Sequence, residues 1–142
     1  MKTVLISIRP KWCQKIISGE KTIEVRKTRP KINPPFRCYI YQTGKGGVIG
    51  EFVCDEFFDL SWGARIPSDI ARGAYLEPVE IHEYLGTGAG CGWHISNLKI
   101  YDTPRKLSEF TGLRTGLGSI ELRVLERPPQ SWCYVEEQTW KD

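Results

Sequence analysis

Between positions 19 and 26 the chain reads Gly19-Glu20-Lys21-Thr22-Ile23-Glu24-Val25-Arg26, and three of these residues carry groups suited to recognition or proton transfer. Arginine offers a planar, bidentate donor fork to a phosphate or a base edge, and lysine a point charge. A carboxylate accepts from an exocyclic amine, or orients the arginine. A lysine whose pKa is lowered by burial and by a neighbouring arginine also becomes a usable base near neutrality, although an adjacent carboxylate pushes the other way. Lys21, Glu24 and Arg26 are thus a candidate recognition set, and Lys21 with Glu24 a candidate acid/base pair for a hydrolase. The bland account of the same spacing is a solvated strand face with ordinary ion pairing.

A helix and a strand must position these groups. Pro10 sits where a helix would start, and Trp12, Cys13, Ile16 and Ile17 form one apolar stripe, with Lys11, Gln14, Lys15 and Ser18 facing water. Gly19 is a natural stop. From Thr22 to Arg26 polar and apolar residues alternate, so Ile23 and Val25 face one way and Thr22, Glu24 and Arg26 the other. Lys21 falls at the junction, and Glu24 and Arg26 lie about 7 Å apart along the strand.

The rest of the chain supplies a scaffold. Residues 3–8 read as a first strand, 37–43 and 48–58 as a hairpin through the glycines of 44–47, and 67–86 as one or two short helices. Strands are expected at about 93–101, 119–126 and 132–136, with a helical turn near 104–110. About six short strands and few long amphipathic helices disfavour parallel crossovers. The expected class is α+β, a small, mostly antiparallel β-barrel with short peripheral helices, forming a single domain over residues 1–142.

With 142 residues, 40% hydrophobic and 26% charged, one core is expected and a second is not. No apolar run approaches a membrane span, and the five-residue apolar stretch near the N-terminus is short for a signal peptide, so a cytoplasmic protein with no membrane partner is expected. The net charge of +3 hides an asymmetry: residues 1–45 hold eleven Lys and Arg against Glu20 and Glu24, and the remainder is acidic. Such a split marks a basic surface for a polyanion, unless folding interleaves the halves. Five cysteines with no Cys-x-x-Cys pair read as packed free thiols, not a disulfide framework or a zinc site.

Two other patterns carry less. Gly44-Lys45-Gly46-Gly47 joins two strands, and the glycines of 86–92 run from helix into strand, so neither has the order of a phosphate loop. His82, Cys91 and His94 offer three ligands with no fourth at recognisable spacing, so neither a metal nor any other cofactor is expected. Cys91 as a nucleophile activated by His94 requires the loop to fold back, because an extended segment points the two apart.

The segment from Gly19 to Arg26 resembles the GxKxxExR motif of the ASCH domain, a branch of the PUA-like superfamily. Lys21, Glu24 and Arg26 match it residue by residue. The strand and helix that precede it, the Val48-Ile49-Gly50-Glu51-Phe52 and Trp93-His94-Ile95-Ser96 strands and the segment 128–135 look like those of small ASCH proteins of bacteria and their phages. The resemblance implies a PUA-like β-barrel whose cleft is lined by the motif and binds RNA or a nucleotide-like small molecule. The ligand set it suggests is Lys21, Glu24, Arg26, Arg9, Trp93, Ser131 and Trp132, with Lys11, Lys15, Lys27, Arg29 and Lys31 as a rim for the nucleic-acid backbone. Trp62, Trp93 and Trp132 fall at loop-strand junctions where a base could stack, whereas Trp12 reads as core. Some relatives look like amidohydrolases of N4-acetylated cytidine and others like nucleases. In the amidohydrolase pattern a threonine accompanies the lysine base; here Glu24 takes that position and Thr22 lies two residues away. A module that binds another protein through the acidic later half is a third class.

Overall fold

The computed structural model describes residues 2–61, 65–116 and 118–140, and Trp62 lies outside them. Among these residues the elements follow in the order β1 (Lys2–Ile8), α1 (Pro10–Ile17), β2 (Ile23–Arg26), β3 (Phe36–Gln42), β4 (Gly47–Leu60), α2 (Ser68–Ala74), α3 (Pro78–Leu85) and β5 (Gly90–Arg105). A single 3-10 turn, Leu107–Glu109, leads to β6 (Thr111–Gly116), β7 (Ser119–Val124) and β8 (Trp132–Glu136).

The strands form one sheet in the order β2-β5-β4-β3-β1-β8-β6-β7. Only β1 and β3 are parallel among the paired strands; the others are antiparallel. The α+β class and the antiparallel bias stand, but the expected barrel does not close: β2 and β7 end the order without pairing with each other. Alternation predicts strands and their faces, whereas closure depends on long-range pairing. The pairing of β4 with β5 shifts register at three places, and irregularities of this kind bend a strand. Strand β6 was not among the expected strands, because Thr-Gly-Leu-Arg-Thr-Gly has a single large apolar residue and is held in place by β7.

β1 is buried on both faces. Val4, Ile6 and Ile8 enter the main core with Cys13, Ile16, Phe52 and Trp93, while Leu5 packs with Tyr39, Phe110 and Val135. The odd face also carries Thr3 and Ser7, whose hydroxyls donate to Val135 O and Pro129 O at 2.9 and 2.6 Å. A separate cluster joins Ile23 and Val25 of β2 to α2 and α3 through Ile70, Ala74, Ile81 and Leu85. α1 buries Cys13 and Ile16 as its spacing requires, but Ile17 is exposed, so the apolar stripe is narrower than expected. Among the described residues no helix is long and apolar enough to cross a membrane.

All five cysteines are free, and four are buried. Burial pushes the thiols of Cys13 and Cys54 up to about 12 and that of Cys133 up to about 11. Cys91 and His94 lie on opposite faces of β5: the thiol is buried, whereas the imidazole Nδ1 is 2.6 Å from Asp55 Oδ1. No nucleophile-base pair forms between them.

Candidate functional site

α1 ends at Gly19, whose φ of +83° belongs to the left-handed region that favours glycine. The chain then turns tightly: Lys21 N donates to Lys15 O at 2.9 Å, Thr22 N to Gly73 O at 2.8 Å, and Ile95 N to Thr22 O at 2.8 Å. These bonds fix the start of β2 between α2 and β5. A Cβ added at Gly73 would meet Ile23 Cδ1 at 2.7 Å, so glycine there permits α2 to approach β2. β2 pairs with β5 in the register Ile23↔His94, Glu24↔Trp93, Val25↔Gly92 and Arg26↔Cys91. Ile23 and Val25 pack against the two helices, and burying each stabilises the fold by roughly 1.5–3 kcal/mol. That gain offsets part of the cost of what lies on the other face.

The other face is withdrawn from solvent at Glu24 and largely at Arg26, although Thr22 before the strand is exposed. Lys21 is 2% exposed and Glu24 7%, and both border a cleft of about 650 Å³. Ser7, Ile8 and Arg9 line one side, Trp12 the base of α1, Leu76, Glu80, Glu83 and Tyr84 the side of α2 and α3, with Thr43 and Gln130 at the edges. Lys21 Nζ donates to Ala74 O at 2.6 Å and lies 5.0 Å from the Trp12 ring centroid. Burial lowers the Lys21 pKa, Glu24 opposes the shift, and Arg26 adds to it. Glu24 Oε1 is 3.7 Å from Arg26 Nε, and Glu24 Oε2 is buried with no hydrogen-bond partner. An orphaned buried carboxylate oxygen is costly, and Glu24 is among the residues that line the cleft.

Arg26 is engaged inside the fold. Its Nη2 donates to Ser7 O at 2.7 Å and its Nη1 to Ser131 Oγ at 3.1 Å, with Ser131 O at 3.4 Å. The guanidinium therefore joins β2 to β1 and to the segment entering β8, with both terminal nitrogens directed to protein acceptors.

The structure gathers Lys21, Glu24, Arg26 and Arg9 around the cleft and brings Ser131 to it through Arg26. Trp93 is elsewhere: it is fully buried, edge-on to Phe36, Phe57 and Trp132 at about 6 Å, and is a core residue that no base can stack upon. Trp132 packs on Trp93 and Tyr134 and donates from Nε1 to Thr28 Oγ1 at 3.0 Å, outside the cleft lining. Of the rim cations, Lys11 Nζ lies 4.7 Å from the Trp12 ring and Lys27 Nζ 5.1 Å from the Tyr84 ring, so both flank the cleft. Lys15 pairs with Glu20 at 3.4 Å and Arg29 with Asp59 at 2.9 Å. Lys31 is exposed, and its backbone N–H donates to the Tyr134 hydroxyl.

Sequence reasoning missed the cleft roles of Trp12, Tyr84, Glu80 and Glu83. Trp12, which reads as core, packs against the main core and also lines the cleft, and Tyr84 lines it from α3. The signal was present in Trp12, which sits in the first turn of α1, two residues after Pro10 and close in sequence to the motif. The two glutamates of α3 become visible only once α3 packs across β2.

The sequence profile of the ASCH domain matches residues 6–85, which contain the Gly19–Arg26 segment and most of the cleft lining. No curated protein matches the chain. Among solved structures it is similar to the ASCH protein from Zymomonas mobilis, with a TM-score of 0.71 and 23% identity over 95% of this chain and 88% of that one. A serine-to-alanine mutant of that protein gives a TM-score of 0.72 and 22% identity, covering 95% and 89% of the two chains. A tyrosine-to-phenylalanine mutant gives 0.65 and 20%, covering 96% and 92%. At these identities the likeness concerns the fold.

Proposed function

The chain belongs to the ASCH domain family, a PUA-like family associated with RNA binding, and from that premise we propose that its cleft receives a nucleobase carried by single-stranded RNA or by a free nucleoside or nucleotide. The observation that carries this reading is the buried, unpartnered Oε2 of Glu24 in a cleft that Lys21 also lines. An acceptor and a donor in one cleft complement a base edge that presents an exocyclic amine next to a ring nitrogen, as in cytosine and adenine. Trp12 and Tyr84 supply faces for stacking, and Arg9, Lys11 and Lys27 stand where the flanking phosphates would run. Arg26, with its fork already committed, is a positioning residue that holds Glu24.

The test compares binding of short single-stranded oligocytidylate, oligoadenylate and oligouridylate. The amine-bearing oligomers are expected to bind about tenfold or more tightly than oligouridylate, the worth of one bidentate contact. Glu24→Gln should abolish the preference. Equal affinity for all three, or a preference that survives in Glu24→Gln, sinks the proposal.

A second reading, a hydrolase acting on a modified nucleoside or RNA, is favoured by one observation: burial lowers the Lys21 pKa beside a carboxylate, as a general base requires. Turnover of acylated cytidine or short RNA that is lost in Lys21→Met would support it. Absence of any Lys21-dependent product removes it for those substrates.

A further inference from the structure

β7 lies at the opposite end of the strand order from β2, with no strand beyond it among the described residues. It reads Ser119-Ile120-Glu121-Leu122-Arg123-Val124, and Ile120, Leu122 and Val124 share one face at 63%, 56% and 52% exposure. Glu121 and Arg123 share the other, with Arg123 Nη2 3.5 Å from Glu121 Oε1. The register with β6 runs unbroken from Thr111↔Val124 to Gly116↔Ser119, and Leu125 N donates to Phe110 O at 2.9 Å. Alternate residues of an antiparallel strand direct their N–H and C=O groups to opposite sides. Odd-numbered residues therefore bond towards β6, and Ile120, Leu122 and Val124 present their backbone groups to the open edge. Native sheets blunt such an edge with charged side chains, proline, a bulge or a covering loop. β7 has no proline or lysine, and its two charges, Glu121 and Arg123, are of opposite sign and so can be matched by a second copy.

We propose that a second copy of this chain covers the edge, its β7 pairing antiparallel about a twofold axis at Leu122. Leu122 then stands opposite the partner's Leu122, Ile120 opposite the partner's Val124, and Glu121 opposite the partner's Arg123, each relation repeated by symmetry. The three outward residues of each strand are those that exchange backbone hydrogen bonds. Glu121 and Arg123 fall at the intervening positions, where opposed side chains come closest. Charge selects this register: a shift by two residues sets Glu121 against the partner's Glu121, or Arg123 against the partner's Arg123. Parallel pairing in register also opposes like charges. β7 contributes no residue to the cleft lining, so the pairing buries none of the cleft's described walls.

Sedimentation of the full chain over a concentration series tests the proposal, using wild type, Glu121→Arg and Arg123→Glu. Both residues are exposed, so neither reversal disturbs the core. Wild type is expected to move from 16.3 kDa towards twice that mass as concentration rises. Each single variant should dissociate about tenfold or more readily, and an equimolar mixture of the two should dimerise again, because each supplies the charges that the other lacks. A wild type that stays monomeric up to about 1 mM overturns the proposal and leaves the edge to a different partner. Single reversals that dimerise as well as wild type overturn it by placing the interface elsewhere.

Discussion

If Arg26 holds the fold together and does not read a ligand, replacing it should cost stability and leave the electrostatics of RNA binding alone. In Arg26→Lys the ammonium can reach Ser7 O or Ser131 Oγ but not both, because the two acceptors are bridged by separate nitrogens of one planar group. One charge-assisted bond is then lost, worth roughly 1.5–3 kcal/mol, and the 3.7 Å contact to Glu24 loosens, so about 3 kcal/mol in total is expected. At roughly 2.1 cal/mol/K per residue, the unfolding entropy of 142 residues is about 0.3 kcal/mol/K, so the melting temperature should fall by about 10 °C. Calorimetry reads this directly. Binding of a short single-stranded RNA by Arg26→Gln, measured well below melting at several salt concentrations, supplies the other half. A phosphate contact made by Arg26 would flatten the dependence of log K on log salt by about 0.7, whereas a clamp leaves it unchanged. An unaltered melting temperature together with the flatter salt dependence would refute the clamp.

Three further outcomes follow from the site and the core. The Lys21 pKa is lower in the folded chain than in the unfolded one, so between the two values the unfolded state holds more protons and stability rises with pH. Wild type should therefore gain on Lys21→Met in urea unfolding as pH climbs from its folded pKa towards its unfolded value of about 10.5, and a constant difference would show that burial does not penalise the charge. With the thiols of Cys13, Cys54 and Cys133 raised to between about 11 and about 12, native protein at about pH 8 should react slowly with a thiol reagent and show five thiols only once denatured; prompt native labelling would contradict the packing. Gly73→Ala drives a methyl into Ile23 Cδ1 and should cost about 1–3 kcal/mol, read from the denaturation midpoint; an unchanged midpoint would mean that α2 approaches β2 less closely.

Local alternation was enough to separate Ile23 and Val25 from Glu24 and Arg26, and Gly19 was enough to end α1. Neither observation says which face of β2 meets solvent. That is settled by the pairing of Glu24 with Trp93, residues 69 positions apart in sequence, which sets the polar face against the core. The same long-range pairing removes Trp93 from the surface, although its place at the start of a β-rich run suits a stacking platform equally well. Helix period also leaves Trp12 and Tyr84 undecided between core and cleft, since an aromatic residue at a helix edge serves either. The open sheet is invisible for a related reason, because closure depends on whether the two outermost strands find each other.

The charge asymmetry of the chain takes a different meaning in the fold. Arg37 pairs with Glu51 at 2.9 Å and Glu137 at 3.2 Å, and Arg29 with Asp59, so part of the basic first third is neutralised by the acidic remainder. The cleft repeats this mixing at closer range, with Arg9, Lys21 and Arg26 facing Glu24, Glu80 and Glu83. Glu80 Oε1 is tied to Glu77 N at the start of α3, which leaves Glu83 as the freer acid of that wall. A phosphate driven deep into such a cleft would meet carboxylates in a setting where charges are weakly screened. A neutral base would not, and Glu24 Oε2 among the described residues is a buried acceptor that lacks a donor. Under the proposed function, balanced charge in the interior with Arg9, Lys11 and Lys27 at the margin would sort a nucleotide by its parts, base inward and phosphate outward.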